Sequence, residues 1–289
     1  MKVAFQGETG AYSEEAVLSL CPNAKPVPHN SFEDVFTAVR DGDVEHGVIP
    51  IENSLFGSVH QNYDLLQEYS LVITGEVHLR VRHLLLGVRK SAIADLRAVY
   101  SHPQALGQCR TFLRTQLPEA ELIPSYDTAG AAKMIAEQGL PDRAAIASIR
   151  AAEEYNLKVL AENIESNHHN FTRFLKLSDS STPDVADSNV TAGADDRREV
   201  RIKTSIVYAQ HENVPGSLFK SLAVFALRDI DLLKIESRPL VGSPGKYLFY
   251  LDLGGSRDDE TVKNALHHLE EVAASVKVLG SYVVGDQVT

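Results

Sequence analysis

The side chains best placed to do chemistry in this chain are small hydroxyls and amides sitting where an apolar, strand-like run meets a helix-like pattern. Four such junctions are legible: Gln6-Gly-Glu-Thr-Gly-Ala-Tyr-Ser13, Ile51-Glu-Asn-Ser54, Ser101-His-Pro-Gln-Ala-Leu106 and Tyr126-Asp-Thr-Ala129. A helix start carries unpaired N–H groups and the positive end of the peptide dipole, so a hydroxyl or amide beside it suits an anion such as a carboxylate. The same residue types also serve as plain helix caps, and each junction taken singly admits both readings. A fifth element, Asn170-Phe-Thr-Arg-Phe-Leu175, sets a Thr-Arg pair into an apolar run. Strand alternation puts Asn170, Thr172 and Phe174 on one face and Phe171, Arg173 and Leu175 on the other. Arg173 either makes a structural ion pair or holds a carboxylate in its planar fork.

Other chemistries find little support. Cys21 and Cys109 show no C-x-x-C spacing and read as buried thiols. His168-His169 has only Glu165 nearby as a further ligand and reads as a solvated loop, so no metal is expected. Gly7-x-x-Gly10 is too short for a dinucleotide fingerprint, and neither a phosphate-binding G-x-x-x-x-G-K-[ST] loop nor a G-x-S-x-G elbow occurs, so no cofactor is expected.

The chain has 289 residues and a net charge of −11, from 28 Lys+Arg against 39 Asp+Glu. That acidic balance, with no basic run, argues against nucleic acid as a partner. No apolar stretch approaches the roughly 20 residues of a membrane span. The first residues run straight into a strand-like pattern without a signal-peptide segment, which sets the cytoplasm as the expected compartment.

The elements that must position these residues alternate. Val3-Ala4-Phe5, Gly47 to Ile51, Leu71-Val72-Ile73, Ala98-Val99-Tyr100 and Ala144 to Ala147 read as strands. Helices are expected around Ala16 to Leu20, from Ser31 as a cap with Asp34 three residues on, from Pro103 with Leu106, Cys109 and Leu113 on one stripe, from Asp127, and after Ser148. Alternating strands and helices imply α/β layers with largely parallel sheets. Ser178 to Arg201, rich in Ser, Asp and Thr and without aromatic, Leu or Ile, reads as a linker. Beyond it the pattern is β-α-β-β-α-β: a strand at 203–209, a helix at 215–228, strands at 230–237 and 247–253, a helix at 258–275 and a last strand at 276–284, the ferredoxin-like order.

The five polar elements occur in the order found in prephenate dehydratases, with Gly7-Glu-Thr-Gly-Ala-Tyr-Ser13, Val48-Ile-Pro-Ile-Glu-Asn-Ser54, Ser101 to Leu106, Asp127-Thr-Ala129 and Asn170-Phe-Thr-Arg-Phe174 carrying the likeness. The C-terminal segment resembles the ACT regulatory domain of the same enzymes. Asn213-Val-Pro-Gly-Ser-Leu218 is similar to the family's N-x-P-G-A-L, with Ser217 in place of alanine, and Glu236-Ser-Arg-Pro239 matches its E-S-R-P.

The resemblance implies an α/β fold with a catalytic region of two lobes, like a periplasmic binding protein, and a ferredoxin-like ACT domain. The expected boundaries are a catalytic domain at 1–178 (lobe 1 at 1–79 and 161–178, lobe 2 at 80–160), a linker at 179–201 and the ACT domain at 202–289. The implied activity turns prephenate into phenylpyruvate with loss of carbon dioxide and water, without a cofactor. By the same likeness Thr172 is the catalytic residue. Thr9, Asn53, Ser54, Ser101, His102 and Gln104 are substrate-positioning candidates, with Thr128, Asn170, Phe171 and Arg173. L-Phenylalanine is the implied effector, at Asn213, Pro215, Gly216, Ser217 and Leu218 and at Glu236, Ser237, Arg238 and Pro239, on a subunit interface of a dimer or tetramer. Arogenate dehydratase is the close alternative, and a non-catalytic amino-acid sensor the distant one.

Overall fold

The computed structural model describes residues 1–179, 201–240 and 242–288. Alternation of strand and helix starts at once: β1 (Lys2–Gln6), α1 (Tyr12–Leu20), β2 (Lys25–His29), α2 (Phe32–Arg40), β3 (His46–Asn53), β4 (Gly57–Ser58), α3 (His60–Glu68) and β5 (Leu71–Arg80). A second series follows: β6 (Leu84–Gly87), β7 (Ala98–Ser101), α4 (Pro103–Gln108), α5 (Arg110–Gln116), β8 (Glu121–Pro124), α6 (Thr128–Gln138), β9 (Arg143–Ala147), α7 (Ile149–Glu154) and β10 (Lys158–Ala161). β11 (Phe171–Asp179) then returns to the first sheet, whose order is β16-β5-β11-β3-β1-β2 with β4 beside β3. The second sheet runs β10-β6-β9-β7-β8.

Local signals account for much of this. Ser31 accepts from the Asp34 N–H while Asp34 accepts from the Ser31 N–H, a complete capping box at the start of α2, worth about 1 kcal/mol. Asp127 and Ser148 cap α6 and α7 through Gly130 and Ala151, and Gly139 ends α6 in the left-handed conformation. In the second sheet, Leu85 and Ile146 face one hydrophobic cluster while Leu84, Leu86, Ala145 and Ala147 face another, so both sides are covered and the strands read as continuous apolar runs.

Several expectations change. The expected parallel pairing joins β1 to β2 and β3, β5 to β16, and β7 to β8 and β9, and it is broken where β4 runs antiparallel to β3, β6 to β9 and β10 to β6. β2, Lys-Pro-Val-Pro-His, carries two prolines and gives no strand signal. It is an edge strand in which the Lys25 N–H reaches back to the Met1 carbonyl, so the prolines at the alternate positions 26 and 28 lack N–H groups only on the open side. The helix expected from Pro103 is broken at Cys109 into α4 and α5.

The last elements are β12 (Ile202–Gln210), α8 (Ser217–Ala226), β13 (Leu232–Pro239), β14 (Tyr247–Gly254), α9 (Glu260–Val272), β15 (Ala273–Val283) and β16 (Gln287–Val288). They form the βαββαβ order, with β13-β14-β12-β15 all antiparallel around Tyr208, Phe225, Leu253 and Leu269. α8 starts at Ser217 rather than Pro215, because Gly216 turns with φ +85° as its N-cap. α9 stops at Val272 and the helix-prone Ala273 begins β15, since pairing with Gln210 of β12 overrides local propensity.

The chain separates into two compact units, Met1–Tyr63 with Val77–Leu175 and Asp286–Thr289, and Asp64–Glu76 with Lys176–Gly285. The division into compact units therefore runs through α3, β5 and β11. The second unit claims 64–76 through polar contacts: Lys277 Nζ donates to the carbonyls of Leu66 (2.9 Å), Gln67 (3.1 Å) and Tyr69 (2.7 Å), Lys203 pairs with Glu76 at 2.8 Å, and Arg238 with Asp64 at 2.8 Å. Of the expected linker, Ser178 and Asp179 belong to β11, Arg201 precedes β12, and 180–200 lie outside the described residues.

Candidate active site

β3 and β11 are neighbours in the first sheet, and their side chains meet at the end of β3. There the Asn53 Oδ1 accepts from the N–H groups of Leu55 (2.9 Å) and Phe56 (3.1 Å), an Asx-type turn that fixes which way the amide points. Its Nδ2 is thereby turned to donate to Asn170 Oδ1 at 2.8 Å and to Thr172 Oγ1 at 2.9 Å. Thr172 receives a hydrogen from Asn53, so its own hydroxyl hydrogen is left to be donated elsewhere.

Both residues line a cavity of about 520 Å³ within the first unit, in the range of roughly 300–1,000 Å³ usual for small-molecule sites. Three helix starts open onto it: Ala11 to Ser13 of α1, His102 and Gln104 of α4, and Asp127 and Thr128 of α6. Apolar walls come from Phe32, Pro50, Phe56, Val59 and Val81. At the rim, the Tyr126 hydroxyl donates to the Asn30 carbonyl at 2.6 Å and accepts from Gln6 Nε2 at 3.2 Å. The β1–α1 loop and α1 are pinned to the start of α7: Ser148 Oγ donates to the Gly10 carbonyl (2.6 Å), and Arg150 pairs with Glu14 (3.1 Å).

Among the described residues, the cavity wall holds Asp127 as its only carboxylate and no Lys or Arg. Attraction for an anion therefore comes from helix dipoles and neutral donors. His102 Nδ1 accepts from the Gln104 N–H at 3.3 Å as the cap of α4, which leaves Nε2 as the donor of the neutral ring. Burial pushes the His102 pKa down, against the opposing pull of Asp127.

Of the sequence-derived candidates, Asn53, His102, Gln104, Thr128 and Thr172 lie on the cavity wall. The others lie off it, each with a contact of its own. Thr9 offers its carbonyl to the Tyr155 hydroxyl at 2.7 Å. Ser54 is exposed and locks β3 to the start of β11, donating to the His169 carbonyl (2.8 Å) and accepting from the Phe171 N–H (2.9 Å). Ser101 is fully buried and donates to the Ile146 carbonyl at 2.6 Å. Asn170, also fully buried, takes the other Asn53 hydrogen bond. Arg173 is buried, and strand alternation turns it away from Thr172.

A profile of the prephenate dehydratase family matches residues 3–182, which include every cavity residue named above. The chain belongs to the prephenate dehydratase family. It is a dehydratase, a carbon–oxygen lyase. Among its relatives, arogenate dehydratase/prephenate dehydratase 2 of Arabidopsis thaliana, a chloroplastic protein, is 47% identical over 98% of this chain and 73% of its own length. Arogenate dehydratase 2 of Petunia hybrida is 46% identical over 98% of this chain and 71% of its own. Two solved structures share the fold over nearly the whole chain. The prephenate dehydratase of Arthrobacter aurescens, solved in complex with L-Phe, has a TM-score of 0.85 at 30% identity, covering 98% of this chain and 89% of that one. A protein described as a novel type of quorum-quenching acylase has a TM-score of 0.86 at 32% identity, covering 99% and 98%.

This member of the prephenate dehydratase family also lines its cavity with three polar residues that sequence reasoning passed over, Ser58, His83 and Gln108. Gln108 carried a signal, for it stands four residues after Gln104 on the same face of α4. His83 carried none, because it sits in the crossing between β5 and β6 and not at a strand–helix junction.

In the second unit of the dehydratase, Ser217 lines a cavity of about 270 Å³ with Gln210, Val214 and Lys220, and donates to Gln210 Oε1 at 3.0 Å. Pro215 and Gly216 form the turn into α8, while Leu218 and Asn213 are exposed beside it. Glu236, Ser237, Arg238 and Pro239 lie on β13, which β14 separates from β12. None of these four lines the Ser217 cavity.

Proposed function

We propose that this chain converts prephenate to phenylpyruvate and that L-phenylalanine acting on its C-terminal unit restrains the reaction. The observation that carries the reading is the Asn53–Thr172 hydrogen bond on the cavity wall. In the reaction, the C–C bond to the ring carboxylate breaks and its electrons enter the ring as carbon dioxide leaves. The C–O bond at the opposite ring carbon breaks with its electron pair, and the departing hydroxide takes up one proton to become water. A donor aimed at that oxygen stabilises the developing charge, the kind of contact worth about 10²–10³ in rate. Thr172 has its hydroxyl hydrogen free for this role. As a very weak acid it supplies the hydrogen bond, and a solvent-derived proton completes the water.

The starts of α1, α4 and α6, with Gln104 and Thr128, receive the carboxylates. The apolar walls take the ring and exclude water from the carboxylate that leaves. No positively charged side chain is required to hold a dianion in such a site, because the dipoles are fixed before the substrate arrives.

Arogenate, with an ammonium where prephenate has a keto group, is the second reading. Two things favour it: the arogenate dehydratase names of the relatives, and Asp127, a lone carboxylate on the wall that suits an ammonium. Measuring kcat/KM on both substrates decides the matter, through phenylpyruvate release from one and phenylalanine release from the other. A higher value for arogenate overturns prephenate as the preferred substrate, and binding of both without turnover of either supports a sensor.

For the effector, Asn213 to Leu218 follow the inner strand β12, while Glu236 to Pro239 lie on the edge strand β13 with β14 between them, so self-association, with a second copy supplying the other motif, is part of the same proposal. Prephenate turnover should fall on addition of L-phenylalanine, and sedimentation should show a dimer or tetramer. Among the described residues no helix is long and apolar enough to cross a membrane. A cytoplasmic location completes the reading, and cell fractionation tests it.

A further inference from the structure

His83 is buried, at 2% exposure, yet it reaches the catalytic cavity and has both ring nitrogens engaged. Nε2 meets Gln108 Oε1, and Nδ1 lies 3.0 Å from the Tyr12 hydroxyl, whose hydrogen also reaches the Arg82 carbonyl at 2.5 Å. The Tyr12 and His83 rings pack edge to face with centroids 5.8 Å apart. Buried Glu165 accepts the His83 backbone N–H at 3.0 Å and lies 3.7 Å from Arg80, which fixes the crossing segment. A buried imidazole with this many partners is held in one orientation and one tautomer.

From this geometry we infer that His83 is a positioning residue for the reaction. By tying down Gln108 Oε1 it turns the two amide hydrogens of Gln108 toward the cavity, as donors for a substrate carboxylate. Neutral histidine suits the task. Nε2 must donate to Gln108 Oε1, and Nδ1 is then the acceptor facing Tyr12. Burial favours the neutral ring, pushing the His83 pKa below its usual value. Without the histidine the Gln108 amide is free to rotate. A carboxylate would then meet Oε1 as often as the N–H groups, and misplacement of this order costs about 10²-fold in rate.

The inference rests on the dehydratase reading of the cavity, and the test separates the two. Wild-type protein, His83→Phe, His83→Gln, Gln108→Ala and the His83→Phe/Gln108→Ala pair are compared on the better of the two substrates. Because His83 acts through Gln108, the double variant should be no slower than Gln108→Ala alone, so the two effects do not add. His83→Gln, whose amide still donates near the Nε2 position, should recover most of the activity that His83→Phe loses. If His83→Phe does not fold, His83→Leu, which also lacks the donor, takes its place in the same cycle with Gln108→Ala. Multiplicative losses in a folded double variant, or a folded His83→Gln as slow as His83→Phe, overturn the inference and leave the dehydratase reading standing. A wild type that turns over neither substrate overturns both.

Discussion

Asn53 Nδ2 donates to Thr172 Oγ1 across 2.9 Å, although the two residues are 119 positions apart in the chain. The contact settles the direction of the threonine hydroxyl. Asn53 is held by two backbone N–H groups on its oxygen side, so Thr172 can only accept from it, and its own hydrogen must point to another oxygen. Thr172→Val keeps the shape and removes that donor. We expect kcat to fall about 10²–10³-fold with little change in melting temperature, as steady-state kinetics and calorimetry would show.

Asn53→Asp is the complementary change. The new carboxylate still accepts from Leu55 and Phe56, but it has no hydrogen to give and draws the Thr172 hydroxyl onto itself. The expected outcome is a fall in kcat of the same order as Thr172→Val, with the fold intact by circular dichroism. Near-normal turnover in this variant would show that the hydroxyl's direction is irrelevant.

Lys203 and Glu76 form a buried pair at 2.8 Å in the second unit, and Glu76 also accepts the Gly285 N–H at 3.1 Å. Lys203→Met leaves a buried carboxylate without its counter-ion and should cost about 3–5 kcal/mol in urea unfolding. The pair Lys203→Met/Glu76→Gln should recover part of that loss, because no buried charge remains. Additive losses in the double variant would argue against charge burial as the cause.

Gly10 has φ +91°, and a Cβ there would stand 2.8 Å from the Ala151 Cα. Gly10→Ala combines backbone strain with a collision against backbone that has no room to give. A loss of roughly 2–4 kcal/mol is expected in thermal melts. The loop it disturbs carries Ala11 to Ser13 to the cavity, so kcat/KM should fall as well.

Burial lowers the pKa of both His83 and His102 from an ordinary 6.5. Between the folded values and 6.5 the unfolded chain binds more protons, so their contribution to stability is complete above about pH 6.5 and is lost as pH falls through that window. Glu15, raised above 4.5 by burial, works the other way, its contribution fading as pH rises through its folded value. Melting temperature should therefore drop between pH 7.5 and 5.5. His83, faced by Tyr12, Gln108 and Glu165, supplies part of the slope, and His83→Phe should flatten it. An unchanged slope would place the proton uptake elsewhere.

Much of the fold was legible where a local rule acts alone. The Ser31–Asp34 capping box, the caps at Asp127 and Ser148 and the βαββαβ order all follow from neighbours a few residues apart. The misses share a different cause. The prolines of β2 are tolerated only because the strand lies at an edge, and Ala273 joins a strand only because Gln210 is there to pair with it. Within the site, Asn53 and Thr172 carried a signal as polar residues at strand ends. Thr9, Ser54 and Ser101 carried the same signal and hold the scaffold together instead.

The sequence alone determined the residue types at each strand end and helix start, and the order in which they follow one another, because hydrophobic period, caps and turns act over one or two turns of chain. Only the tertiary structure decided which of those side chains share a cavity. The crossing from β5 to β6 and the return through β11 bring Asn53, Gln108, Thr128 and Thr172 to one cavity and turn Arg173 away from it. Those crossings depend on which strand lies beside which, and strand order is a property of the packed sheets that no short stretch of residues contains.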